Sequence, residues 1–206
     1  MYLEIDAHHL DATKVNWIVD QLKSGAIIVM PTDTVYAMCC AYSRKDTMDR
    51  MAALKGNHKS KTQFSIIIDN LEKISTYTKP FDRSIFRILN KALPGPYTFI
   101  LEASNEVYHN FKKQKHTVGI RMPDSELLHA IISLLGQPLV TTSIGDDSMG
   151  VEFATDPKLI ESKYGDKVEA IVDAGFGNIT PSTVIDLTGE SPEVIREGAG
   201  SLEVLN

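Results

Sequence analysis

The sequence predicts an α/β fold built on a mixed sheet, and three observations carry that reading. Short apolar runs of strand character alternate along the whole chain with segments whose apolar residues recur at helical spacing. The strand candidates are spaced too irregularly for a uniform β-α repeat, so a sheet with both parallel and antiparallel neighbours is expected. No linker, low-complexity tract or internal repeat divides the 206 residues. That length permits one large domain or two small ones and can bury a real core without disulfides.

The elements follow in order. Residues 2–5 (YLEI) read as a short strand. In 11–24, Val15, Ile18, Val19 and Leu22 mark one helical face, with Asp11 placed to cap the start and Gly25 to end it. AIIVM (26–30) and VYAMCCAY (35–42) are buried-strand candidates. Residues 45–55 read as a helix with Met48, Met51 and Leu54 on one side, followed by a strand at 64–69 and helices at 70–77 and 82–92. Strands are expected at 97–103 and 117–122, and then a helix at 124–136 whose first turn is acidic, as the helix dipole favours. Strands at 138–144, 168–175, 182–187 and 193–197, with a helix near 156–164, complete a set of about nine strands and five or six helices.

Composition is ordinary for a globular chain, 43% apolar and 23% charged. The N-terminus, MYLEIDAHHLD, is polar and acidic where a signal peptide would be basic and then apolar, and no run approaches a membrane span. Cys39 and Cys40 are adjacent inside an apolar run and point to opposite faces of a strand, a poor metal clamp. A reduced, cytoplasmic setting is expected. The net charge of −6 conceals an asymmetry: residues 1–121 hold 17 Lys/Arg against 12 Asp/Glu, and residues 122–206 hold 4 against 15. Basic clusters at 55–61 and 112–121 read either as solvated loops or as a groove that attracts nucleotide phosphate or RNA.

The chemistry sits where apolar runs stop. AIIVM ends at Pro31 and is followed at once by Thr32, Asp33, Thr34 and then Tyr36, a polar knot between two buried strands. Thr141-Thr142-Ser143 and Arg121 also close apolar runs, and open α/β sheets bind ligands beyond strand ends. Each has a plain alternative: a side-chain-capped turn for Thr32–Thr34, a surface ion pair for Arg121, a helix cap for 141–143. Together they supply hydroxyls and a guanidinium, groups that hold a small zwitterion and a phosphate. LPGPYTFIL (93–101) reads mainly as a rigid turn entering a strand, and Gly175–Asn178 as a flexible loop able to bring Ser182 and Thr183 to a ligand. The six histidines show no metal-ligand spacing, and no GxSxG, CxxC, Walker A or GxGxxG is present, so no metal site is assigned.

In order and spacing, GAIIVMPTDTVYAM, LKG at 54–56, LPGPYTFIL, VGIRMPD, PLVTTS and STVIDL followed by VIREGAG resemble the YrdC/Sua5/YciO-like family over about residues 10–200. The resemblance implies a twisted, open, mixed sheet with flanking helices in a single YrdC-like domain, residues 1–206. It also implies a concave, positively charged face and, in some members, binding to double-stranded RNA. The extra C-terminal domain of longer relatives is expected to be absent. The implied activity is synthesis of L-threonylcarbamoyladenylate from L-threonine, bicarbonate and ATP, for threonylcarbamoylation of adenosine 37 in tRNA. Mg²⁺ is expected with the ATP, no tightly bound cofactor, and protein partners from the tRNA-modification pathway are possible.

Carried over by position, Thr32, Thr34 and Tyr36 resemble the threonine pocket, joined by Ser182 and Thr183. Lys55 matches the first residue of the family's Lys-x-Arg motif, Ser143 the serine of its Ser-x-Asn motif, and Arg196 the late nucleotide-side arginine. Arg121 would pair with a carboxylate or phosphate through its bidentate fork. Lys55, Arg121 and Ser143 form the catalytic set this implies. The departures are two. Asn57, followed by His58, stands where the family has arginine, and Gly145, followed by Asp146 and Asp147, stands where it has asparagine. Lys59 or Lys61 offers a substitute charge, but an ammonium lacks the guanidinium fork. Two functions are therefore expected to compete: a synthase with a rearranged phosphate site, or a paralogue, closer to the YciO-like subgroup, that keeps a nucleotide or RNA groove without efficient synthesis.

Overall fold

The computed structural model describes residues 1–7, 9–55, 63–111, 116–144 and 151–206. The basic and departing positions Asn57, His58, Lys59, Lys61, 112–115, Gly145, Asp146 and Asp147 lie outside the described residues.

Ten strands form one open sheet in the order β1-β8-β2-β3-β7-β4-β6-β5-β9-β10. They are β1 Tyr2–Glu4, β2 Ile28–Met30, β3 Ala37–Ala41, β4 Ser65–Ile67, β5 Gly95–Glu102, β6 Thr117–Met122, β7 Leu139–Ser143, β8 Ala170–Asp173, β9 Thr183–Asp186 and β10 Glu193–Arg196. β1, β8 and β2 run parallel, as do the pairs β4–β6 and β5–β9; the remaining neighbours are antiparallel. The mixed sheet expected from irregular spacing is therefore present, and each of its ten strands falls on a segment read as a strand.

Seven α-helices accompany it among the described residues: α1 Ala12–Ser24, α2 Lys45–Leu54, α3 Ile74–Tyr77, α4 Arg83–Ala92, α5 Asn105–Asn110, α6 Glu126–Leu135 and α7 Pro157–Tyr164. The segment expected as one helix over 70–77 splits into a 3-10 turn, Leu71–Lys73, and the short α3. Helix α5 has no counterpart in the sequence reading; Ser104 caps it by accepting from the Val107 amide at 3.3 Å. The α1 expectation holds at both ends. Asp11 accepts from the Thr13 amide at 2.8 Å, and Gly25 closes the helix at a φ of 93°.

The sheet packs its two faces differently. One face, with Val29, Met38, Ile66, Phe99, Ile120, Val140, Ile171 and Ile185, packs into a large apolar core that runs under nearly every strand. The other face is covered by α1 and α6. Val15, Ile18, Val19 and Leu22 of α1 and Leu127, Leu128, Ile131, Ile132 and Leu135 of α6 meet Ile28, Met30, Cys39, Ile67, Leu139 and Val172. Burying each large side chain of this kind contributes about 1.5–3 kcal/mol relative to leaving it exposed. No residue of β5, β6 or β9 enters that second cluster. On those strands Thr98 and Ile100, Gly119 and Arg121, and Val184 and Asp186 therefore point away from the large core and lie outside the α1–α6 cluster, and Thr98 and Arg121 are buried there.

Candidate functional site

Arg121 is the centre of this region. It follows two residues after Gly119 on β6, so the two share the face away from the large core. Gly119 keeps the floor low: a Cβ there would stand 2.7 Å from Ser65 Oγ and 3.2 Å from Thr98 Cγ2. By register Arg121 is level with Ile67 and, one strand further, Leu139, not with Ser143 at the other end of β7. Its guanidinium nevertheless reaches the polar knot after β2. Nη2 donates to Asp33 Oδ1 at 2.8 Å and to Thr34 Oγ1 at 3.0 Å. The Asp33 and Arg121 side chains are 9% and 8% exposed, which replaces the surface ion pair with a buried one.

The hydroxyls of the knot serve this pair. Thr32 Oγ1 donates to the Val35 carbonyl at 2.8 Å and accepts from the Thr34 amide at 3.0 Å. With the Thr32 proton so used, the 3.0 Å contact between the two hydroxyls runs from Thr34 to Thr32, and Thr34 Oγ1 accepts from Arg121. Asp33 Oδ2 accepts from the Asp124 amide at 3.3 Å, tying the knot to the turn that starts α6. Thr34 is fully buried. In this conformation both threonine hydroxyls orient Arg121.

Burial sets the electrostatics of the site. Burial pushes the Asp33 carboxyl up against the pull of Arg121. Burial likewise pulls the Arg121 guanidinium down while Asp33 opposes the shift, and Arg196 lies close enough to add like-charge repulsion. The guanidinium remains charged. Asp33 also feels the Asp124 carboxylate, so charges of both signs surround the pair. Arg121 Nε is buried and has no hydrogen-bond partner among the described residues. Such an orphan donor costs about 1–3 kcal/mol and calls for a functional account.

The remaining expected residues fall into three places. Tyr36 is fully buried, so it lies behind the knot rather than in an open pocket; its hydroxyl donates to the Gly175 carbonyl at 2.7 Å and accepts from the Ala174 amide at 3.2 Å. Lys55, just past α2, donates through Nζ to the Ser143 carbonyl at 2.9 Å, so these two come together at the end of β7. Thr141 and Thr142 are buried within β7 and are not a helix cap, while Ser143 is exposed. Ser182 and Thr183 are 5% and 0% exposed. Ser182 Oγ lies 2.8 Å from Thr98 Oγ1, and Thr183 Oγ1 donates to the Gly200 carbonyl at 2.7 Å. Arg196 donates to the Ser182 carbonyl from Nε at 3.1 Å and from Nη2 at 2.8 Å.

The 174–182 connection, which contains the loop expected at Gly175–Asn178, joins the second strand of the sheet to the ninth and is anchored on the way. The Gly177 amide donates to the Thr155 carbonyl at 2.8 Å and the Asn178 amide to the Thr34 carbonyl at 3.0 Å. Glycine at 177 lets this strap lie on the Tyr36 ring, since a Cβ would stand 3.0 Å from Cδ2. Phe176 and Ile179 are 81% and 65% exposed on it. The residue that the sequence reading left without a role is Asp33; its position inside the polar knot was visible, its partner on β6 was not.

The knot after β2 and Arg121 on β6 thus form one buried polar cluster on a mixed α/β sheet. The Sua5/YciO/YrdC family model, described as "Telomere recombination", matches residues 20–198. The chain belongs to that family. It is 34% identical over 191 residues to the uncharacterized Escherichia coli protein YciO, covering 92% of this chain and 91% of that one. The crystal structure of E. coli YciO superposes with a TM-score of 0.88 at 31% identity, covering 100% of this chain and 98% of the other. A threonylcarbamoyl-AMP synthase of Coxiella burnetii is 26% identical over 178 residues, covering 85% and 94%. The structure of Pyrococcus abyssi Sua5 complexed with L-threonine also gives a TM-score of 0.88 at 25% identity, covering 98% of this chain and 59% of that one. Among the described residues no group of His, Cys, Asp and Glu is arranged to hold a metal ion, and no helix is long and apolar enough to cross a membrane.

Proposed function

We propose that the groove binds L-threonine and ATP, and that the protein forms L-threonylcarbamoyladenylate for tRNA modification. The observation that carries this reading is Arg121: buried, charged, and left with no partner for Nε among the described residues, with Arg196 near enough to repel it. An anion answers that arrangement, and the threonine carboxylate is one of the right size. The Sua5 complex with L-threonine and the kinship to threonylcarbamoyl-AMP synthases support the choice of ligand. In the reaction the threonine amine takes up bicarbonate as a carbamate with loss of water. A carbamate oxygen then bonds to the α-phosphorus of ATP as the bond to the β-phosphate bridge breaks and pyrophosphate leaves. The chain's part is positioning and charge neutralisation. Lys55, Ser143 and Arg196 are assigned to the nucleotide, and Mg²⁺ enters with the ATP.

A second reading is favoured by Asn57 and Gly145, which replace the family's arginine and asparagine. It keeps a nucleotide or RNA groove and gives up efficient synthesis; losing one transition-state charge contact costs on the order of 3 kcal/mol, about a hundredfold in rate. Incubation with ATP, Mg²⁺, threonine and bicarbonate, read by mass spectrometry, tests both. Threonylcarbamoyl-AMP from the natural chain supports synthesis. Product only from the Asn57→Arg/Gly145→Asn variant supports the second reading, and a salt-sensitive RNA complex would give it a ligand.

A further inference from the structure

We infer that Asp33 is the positioning residue that fixes how Arg121 meets its ligand, and that it makes the arginine a single-donor contact instead of a fork. The inference rests on the groove being a threonine site. A guanidinium can grip a carboxylate with two parallel bonds only along an edge that includes Nη2 or along its end, which also includes Nη2. Here Nη2 faces Asp33 Oδ1 at 2.8 Å and Thr34 Oγ1 at 3.0 Å, so both of its hydrogens are held inside the protein. Nε and Nη1 remain, and they do not share an edge. The bidentate grip expected from the sequence is thereby closed off.

Asp33 is itself fixed at two points. One oxygen holds Arg121 and the other accepts from the Asp124 amide, so the knot after β2 and the turn after β6 share one carboxylate. Rotation of the guanidinium about its last bonds would break the Asp33 and Thr34 contacts together. The ligand therefore meets a donor whose direction is set before binding, which limits the ordering cost of association. A carboxylate this close to an anion site otherwise works against binding by simple charge repulsion. Its presence there is accounted for by geometry.

The two views predict opposite signs for Asp33→Asn. If Asp33 acted through charge alone, removing it would tighten anion binding. The positioning role predicts weaker binding of L-threonine and loss of discrimination against L-threoninamide, whose amide lacks the negative charge. Calorimetric titration of the wild type is expected to favour threonine by about tenfold or more, the range of one charge-assisted hydrogen bond. In Asp33→Asn the ratio is expected to fall toward one. Asp33→Glu, which keeps the charge and moves it by one methylene, is expected to lose most of the ratio as well, and it decides the matter if the asparagine variant fails to fold. An unchanged ratio in a folded variant, or equal weakening of both ligands, overturns the positioning role. No threonine binding by the wild type overturns the threonine reading beneath it.

Discussion

Arg121 Nη2 lies 2.8 Å from Asp33 Oδ1, and this contact joins two chain segments 88 residues apart under a surface that hides both side chains. The pair is not a free source of stability. Desolvation of two charges at this depth roughly cancels their attraction, while loss of one partner strands the other.

Arg121→Ala is therefore expected to destabilise the fold by about 3–5 kcal/mol, because Asp33 is left buried and unpaired. An Arg121→Met/Asp33→Leu double variant should recover most of that loss and bind no threonine. Urea unfolding of the three proteins checks the ordering. A single variant as stable as the wild type would mean that the pair is solvated.

Thr34→Val removes an acceptor from Arg121 and a donor to Thr32 at a fully buried position. A cost of about 1–3 kcal/mol is expected, together with weaker threonine binding. Unchanged affinity by calorimetry would take Thr34 out of the site.

Tyr36→Phe should loosen the strap where it leaves β8, since the hydroxyl serves both Gly175 and Ala174. Burial pushes the Tyr36 phenol up to about 12, partly offset by the bond from the Ala174 amide. An unfolded tyrosine ionises near pH 10, so between about 10 and 12 the folded state binds the additional proton. Stability from this group is complete below about pH 10 and is lost as pH rises through about 12. The variant is expected to be about 1 kcal/mol less stable at neutral pH and to show a shallower alkaline loss. An identical alkaline slope would contradict the assignment.

Cys39 and Cys40 are fully buried on opposite faces of β3, and burial raises both thiols, Cys39 to about 12. Neither is expected to react with a thiol reagent such as DTNB until the protein unfolds. Fast labelling of the native protein would mean that the covering of β3 is incomplete, by α1 and α6 if at Cys39 and by the large core if at Cys40.

Local pattern was enough for some of this architecture and not for the rest. Helix α1 was legible to the residue, because Asp11, the Val15–Leu22 stripe and Gly25 are all local signals. Helix α5 escaped, since six residues show less than two full turns of periodicity and their only marker is the Ser104 cap. The polar knot at Thr32–Thr34 stood out because charge and hydroxyls interrupt two apolar runs. Its meaning depended on Arg121, which strand order brings near through β7, β4 and β6, and no local pattern encodes that order. For the same reason the partners of Arg121 were not legible: the sequence displays the guanidinium, but only the packed structure reveals that Asp33 and Thr34 contact Nη2.

The most direct test is a crystal structure of the protein with L-threonine. A carboxylate oxygen within hydrogen-bonding distance of Arg121 Nε or Nη1, with the Asp33 contact to Nη2 intact, is the predicted result. Threonine bound elsewhere, or gripped by a fork that has released Asp33, would contradict it.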